Sequence, residues 1–357
     1  MQKTWSSYSV TDVGKKRSVN QDSIYTNDEK QVWIVADGMG GHRDGDKASK
    51  AIVAAFEQVI WPEQLSERIK LIEQTMRQLN NELQVYSKES LDGQHIGSTI
   101  IALTVCQGML ATIWAGDSRC YRVNSERIQQ ISWDHSYIEE MLRQGHMKPE
   151  EAANSKFSNV ITRAVGAHED LYFDHALLPY DSGDFFVLCS DGLTAEVTDN
   201  EIYRLVSQWQ CSQQAIDILL QKTFDRGARD NVSIIIVNGK RDKKVTAAEI
   251  STVSGYSKKL NHLAARLASQ SISLDDYYCE LTNILEQGVT EHQQMASSST
   301  QELPCVSDVT RPLEFETANY PTLKPDMEID PRFDWTYTLF IVSIVLVTLL
   351  LAYFFIF

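Results

Sequence analysis

A chain of 357 residues, 43% of them hydrophobic, can close a substantial core in one large domain or two smaller ones. Its net charge of −15 argues against non-specific binding to nucleic acid, because a phosphate backbone repels an acidic surface. The six cysteines, Cys106, Cys120, Cys189, Cys211, Cys279 and Cys305, contain no Cys-x-x-Cys pair, which argues against a zinc finger or a disulfide scaffold and fits a reducing compartment.

Met1 to Val13 lacks a basic start followed by an apolar run, so no signal peptide is expected. Ser7 to Val13 reads as a strand, and the polar run Arg17 to Asp22 leads into a second, Ser23 to Thr26. A turn at Asn27 to Lys30 precedes a buried strand, Val32 to Ala36, which ends at Asp37 and the glycines Gly38, Gly40 and Gly41. A sharp turn is expected there, with backbone carbonyls free to approach a ligand. Ala48, Ile52, Ala55, Phe56 and Val59 predict one helix, which Pro62 ends, and Leu65 to Tyr86 a second.

From Gly97 the period changes to that of antiparallel strands: Ser98–Val105, Met109–Ala115, Cys120–Val123 and Arg127–Gln130. A mixed helical and loop region, Asp134 to Ala167, is followed by strands at Phe173–Leu178 and Phe185–Leu188. One helix over about Asn200–Phe224 and a last strand, Val232–Val237, complete a first domain, residues 1–240. Residues 241–287 suit two amphipathic helices, joined at Ser269–Ser273 with Ser273 as a cap. Residues 288–334 are rich in Gln, Ser, Thr, Pro and acids, the composition of a disordered tether. Residues 335–357 carry no charge. This stretch of roughly 22 residues, about 33 Å as a helix, reads as a tail anchor in a membrane. Lys324 and Arg332 before it, the free thiols and the missing signal place the rest on the cytoplasmic side.

Three acids share one setting: Asp37 and Asp191 follow apolar strands, and Asp230 precedes one. Carboxylates that meet repel unless a cation lies between them, so their convergence implies metal. Divalent ions sharing a carboxylate can hold a hydroxide-like water at neutral pH.

The ordered motifs then point to a family. They are Thr11-Asp12-Val13-Gly14 through Arg17 and Asn20-Gln21-Asp22; Val35 to His42, with Asp37-Gly38-Met39-Gly40-Gly41; Gly97-Ser98-Thr99; Ala115-Gly116-Asp117-Ser118-Arg119; Asp134-His135-Ser136; Ile161 to Gly166; Cys189-Ser190-Asp191-Gly192-Leu193; and Asp230-Asn231-Val232-Ser233. The chain resembles the metal-dependent serine/threonine phosphatases of the PP2C (PPM) family in their compact bacterial form, over about Ser7 to Gly239. The resemblance implies an α+β fold, a four-layer α-β-β-α sandwich of two antiparallel sheets flanked by helix pairs. It implies that Asp37 bridges two Mn²⁺ or Mg²⁺ ions, with the Gly38 carbonyl on one and Asp191 and Asp230 on the second. By the same likeness Asp22 orients water, Asp117 shares a third ion with Asp191, Arg17 clamps the phosphate and Asn231 positions the Asp230 loop. Residues 137–164 match the mobile flap.

One position departs from the family. Met39 stands where some eukaryotic members carry a His near the metal-binding Asp-Gly, and a thioether donates no proton. His42 reads as a surface or flap residue. Cys305 and Arg311 have phosphocysteine-phosphatase spacing, but in the polar tether and without a glycine loop, so the match is chance. The expected substrates are phosphoproteins, with a membrane Ser/Thr kinase as a partner. The competing readings are an inactive tail-anchored scaffold and a phosphatase of transcription-factor regulators.

Overall fold

The computed structural model describes residues 5–40, 44–91, 94–152, 155, 157, 160–239 and 245–298. His42, the tether beyond residue 298 and the expected anchor, 335–357, lie outside them. Among the described residues no helix is long and apolar enough to cross a membrane.

Two antiparallel sheets form the centre. The five-stranded one has the order β1 (Trp5–Asp12), β11 (Val232–Gly239), β10 (Phe185–Cys189), β7 (Arg119–Val123), β8 (Ile128–Gln130). The six-stranded one runs β2 (Asp22–Asn27), β3 (Val32–Gly40), β5 (Ile100–Cys106), β6 (Met109–Ala115), β9 (Asp174–Leu178), with β4 (Ile96–Ser98) beside β3. Alternate residues of a strand face opposite sides, and here both sides are buried. Trp33, Val35, Ile101, Leu103 and Trp114 of one sheet meet Phe186, Leu188, Ile235 and Val237 of the other. The intervening Val187, Cys189, Ile234 and Ile236 pack outward on helices α6 (Asp199–Trp209) and α7 (Gln213–Asp225). Helices α1 (Gly45–Glu57) and α2 (Leu65–Ser90) lie against the six-stranded sheet. The central strands β5, β6 and β10 are buried at every residue and read as nearly continuous apolar runs.

Among the described residues the chain does not turn directly after Asp37. β3 runs straight through Asp37 to Gly40, pairing Gly38 with Ser98 and Gly40 with Ile96. Gly38 is needed for close approach: a Cβ there would lie 2.1 Å from the Gly45 carbonyl oxygen and 2.6 Å from that of Gln21. The single helix expected near 200–224 is two. Gln210 takes φ 57, and the Ser212 side chain accepts from Ala215 N to start α7.

The helical extension is α8 (Ala247–Ala268) and α9 (Leu274–Ser298), which continues past Gln287, where the sequence reading ended it. Ser273 does accept from Asp276 N, as expected of a cap. α8 covers the edge strand β9. The outward amides of His175 and Leu177 donate to Asn261 Oδ1 (2.9 Å) and Ser257 Oγ (2.8 Å). Four residues of helix rise about 6 Å and two of strand about 6.8 Å, so the two spacings match. The edge is closed by side chains instead of another strand.

Candidate active site

At one end the inter-sheet core changes from apolar to polar along the same inward-facing positions. On β3 the series Trp33, Val35 continues to Asp37, which is opposite Asp22 of β2 in register. On β10 the series Phe186, Leu188 continues to Ser190, and on β11 Val237, Ile235 continues to Ser233. The sheets therefore face each other here through carboxylates and hydroxyls. Ser190 Oγ donates to Asp22 Oδ2 across the gap (2.7 Å) and accepts from Ser233 N (3.0 Å). Asp37 is tied by Thr99, whose Oγ1 accepts from Asp37 N (3.0 Å), and by Ser98 Oγ, which donates to the Asp37 carbonyl (3.0 Å).

Asp191 opens the short helix α5 (Asp191–Thr194), directly after Ser190. The next residue explains how it reaches Asp230: a Cβ on Gly192 would lie 1.9 Å from the Asn231 carbonyl oxygen, so the two turns touch. Arg17 Nη2 bonds Asp230 Oδ2 at 2.7 Å, and its half-exposed guanidinium also feels Asp37 and Asp191. Asn231 does more than order the Asp230 turn. Its side chain donates to the carbonyls of Val13 (2.9 Å) and Val19 (3.0 Å) and accepts from Gln21 N (2.9 Å), so it sets the loop that carries Arg17 and Asp22. The Gly38 carbonyl lies against Gly45, at the start of α1.

These acids interact strongly. Burial first, then the charges of Asp22, Asp191, Asp117 and Asp230, hold the Asp37 carboxyl well above the usual range. Burial pushes Asp22 up to about 7 against the pull of hydrogen bonds from Ser190 and Ser233, with Asp191 and Asp230 adding to the rise. Asp117 rises to about 8 through burial and then Asp191. Asp191 rises through burial and Asp230, though a hydrogen bond with Asp37 opposes this. Asp22 Oδ1 and Asp117 Oδ1 are buried without a hydrogen-bond partner. Among the described residues no three His, Cys, Asp or Glu side chains stand at ready-made metal-ligand spacing. The donor set, however, is all oxygen, acidic and under-satisfied, which is the chemistry that hard divalent cations complete.

Sequence reading thus named the acids that meet. It missed their supports: Ser190, Ser233, Thr99 and the hydrogen-bonding reach of Asn231. Ser98, Thr99, Ser190 and Ser233 lie inside the motifs quoted above, but which hydroxyl supports which acid depends on the stacking of the sheets.

A family profile described as "Protein phosphatase 2C" matches residues 14–223. "Serine/threonine phosphatase stp" of Listeria innocua is 32% identical over 235 residues, 64% of this chain and 93% of that protein. PppA of Pseudomonas aeruginosa is similar in structure, with TM-score 0.60 and 33% identity over 66% of this chain and 97% of that one. The catalytic domain of PstP in complex with two manganese ions matches with TM-score 0.58 and 25% identity, over 66% of this chain and 99% of that one. The chain belongs to the protein phosphatase 2C family, in its bacterial form. It is a protein serine/threonine phosphatase.

Proposed function

We propose that the chain hydrolyses phosphoserine and phosphothreonine in proteins with divalent cations, Mn²⁺ or Mg²⁺. Asp37 and the Gly38 carbonyl would hold one ion, Asp37, Asp191 and Asp230 a second, and Asp117 with Asp191 a third. The observation that carries this reading is the burial of mutually repelling acids at the mouth of the inter-sheet core, two of them with unpartnered oxygens. The two manganese ions of PstP, held in the same fold, support it. When bound, the cations acidify a water at neutral pH and neutralise charge on the phosphate.

The chain's own residues do the rest. Arg17 leaves Asp230 to grip two phosphate oxygens through its planar fork, from a loop set by Asn231. Asp22, anchored by Ser190, orients the attacking water in line with the departing seryl or threonyl oxygen. Met39 has no proton to give, so that oxygen takes its proton from solvent in the cleft.

Hydrolysis of p-nitrophenyl phosphate and of a phosphopeptide tests the reading. Activity is expected with Mn²⁺ or Mg²⁺ and is abolished by chelator and by Asp37→Asn. Equal activity with and without chelator would overturn it, and no activity in any form would favour the scaffold.

We further propose that residues 335–357 anchor the enzyme in a membrane with the active site on the cytoplasmic face. Its substrates there would include a membrane Ser/Thr kinase and that kinase's targets. The support is an uncharged apolar stretch of bilayer length. Cell fractionation tests the anchor: the full chain is expected in membranes and a chain lacking 335–357 in the soluble fraction. A phosphoproteome unchanged by that deletion would count against membrane-bound substrates.

A further inference from the structure

We propose that His135 and Asp174 are positioning residues that hold the Asp117 turn, and with it the third cation site; this rests on the metal-dependent reading above. His135 grips Gly116, the residue before Asp117, from both sides. Its backbone N donates to the Gly116 carbonyl (3.0 Å), and its ring Nδ1 accepts from Gly116 N (3.0 Å). An accepting Nδ1 fixes the hydrogen on Nε2, which donates to Asp174 Oδ2 at 2.8 Å. Arg163 Nη1 stands 3.5 Å from the same Asp174 oxygen and supplies its counter-charge.

His135, Asp174 and Arg163 are at least nine-tenths buried, and the imidazole stacks on Trp114 at 14° between planes. The grip extends in two directions. Past Asp117, Ser118 Oγ bonds Thr99 Oγ1 (2.7 Å), the same oxygen that accepts from Asp37 N. On the other side Thr162 N donates to the His135 carbonyl (2.8 Å), and Val165 and Ser98 exchange backbone hydrogen bonds, with Ser98 Oγ on the Asp37 carbonyl. One imidazole therefore sets the distance between the Asp117 turn and the strand that carries Asp37. Among the described residues Asp117 Oδ1 has no hydrogen-bond partner, so its aim depends on this frame.

The test is Mn²⁺ binding to the full chain by calorimetry and by the electron-spin signal of free Mn²⁺, without substrate. His135→Phe keeps an aromatic ring on Trp114 but loses the ring's contacts with Gly116, Asp174 and Arg163. Asp174→Asn keeps the shape and is the milder change. Both are expected to weaken the weakest Mn²⁺ site about tenfold or more while the tighter sites move less than about twofold. The Mn²⁺ needed for half-maximal activity is expected to rise in step, with KM for substrate unchanged. In an Asp117→Asn background, His135→Phe is expected to change nothing further, since it acts through Asp117. Additive effects in that double variant, or wild-type Mn²⁺ binding in both single variants, would overturn the proposal. A wild-type chain that binds no Mn²⁺ overturns the metal reading itself, a different result from intact tight sites that ignore His135.

Discussion

Two sets of carboxylates, one buried or half-buried in the cleft and one fully buried behind the sheet, behave in opposite ways. In the cleft Asp22, Asp37, Asp117 and Asp191 are all held above the usual carboxylate range, by burial and by one another. Behind the sheet, under the helical extension, burial pushes Glu73 of α2 in the same direction. There the His175 bond (2.7 Å), the Arg77 charge and the Tyr277 hydroxyl (2.8 Å) overcome it and carry the group below its ordinary value. Asp174 is likewise lowered, against burial, by Arg163 and His135. Burial alone does not mark a functional acid. The mark is burial with too little positive charge nearby: Glu73 and Asp174 are fully compensated when the chain folds, whereas Arg17 and Arg119 leave the cleft acids above their ordinary range.

That contrast can be broken from either side. The largest effect is expected on rate: Asp37→Asn lowers kcat/KM on the order of 10⁴-fold, ~5 kcal/mol of transition-state stabilisation. The same change leaves the urea midpoint of the metal-free protein unchanged or higher, because it removes a repelled charge. Glu73→Ala is the mirror image. It strands His175 and Arg77 and is expected to cost about 3–5 kcal/mol in urea unfolding, with Mn²⁺ affinity little altered.

The pH dependence sharpens the comparison. Asp22 titrates at about 7 and Asp117 at about 8 in the fold, against roughly 3.9 in an unfolded chain. The folded, metal-free protein therefore holds protons that the unfolded chain has released. Their contribution is complete below about pH 4 and is lost as pH rises through 7 to 8. Thermal melts under chelator are expected to fall from pH 6 to pH 8.5. Mn²⁺ at 100 times its Kd adds about 2.7 kcal/mol, roughly 5–10 °C in Tm. At one fixed Mn²⁺ concentration, set by the Kd at pH 6, the gain is expected to be larger at pH 8.5, because binding expels the protons. An equal gain at both pH values would show that the acids are already ionised. The smallest effect falls on the exposed partner: Arg17→Lys keeps charge but loses the fork, and KM is expected to rise about tenfold without a change in Tm.

The extension belongs to this comparison. It supplies Tyr277 to Glu73 and closes the β9 edge with Ser257 and Asn261. β9 presents Asp174 to the cleft-side frame and His175 to Glu73 of α2, which Tyr277 of the extension also bonds, on successive residues that point opposite ways.

What the sequence determined by itself is local. Short apolar runs marked the central strands, period-four stripes marked α1, α2, α8 and α9, and ordered motifs marked Asp22, Asp37, Asp117, Asp191 and Asp230 as the acids to watch. Other features were decided only by the packed chain: the continuation of β3 through Gly38 to Gly40, the break between α6 and α7, and the separation of fully compensated acids from under-compensated ones. The reason is reach. A helix stripe is written within a few residues, whereas Ser190 meets Asp22 across 168 positions. Which hydroxyl or base lies opposite an acid is set by how two sheets stack and where their shared core ends.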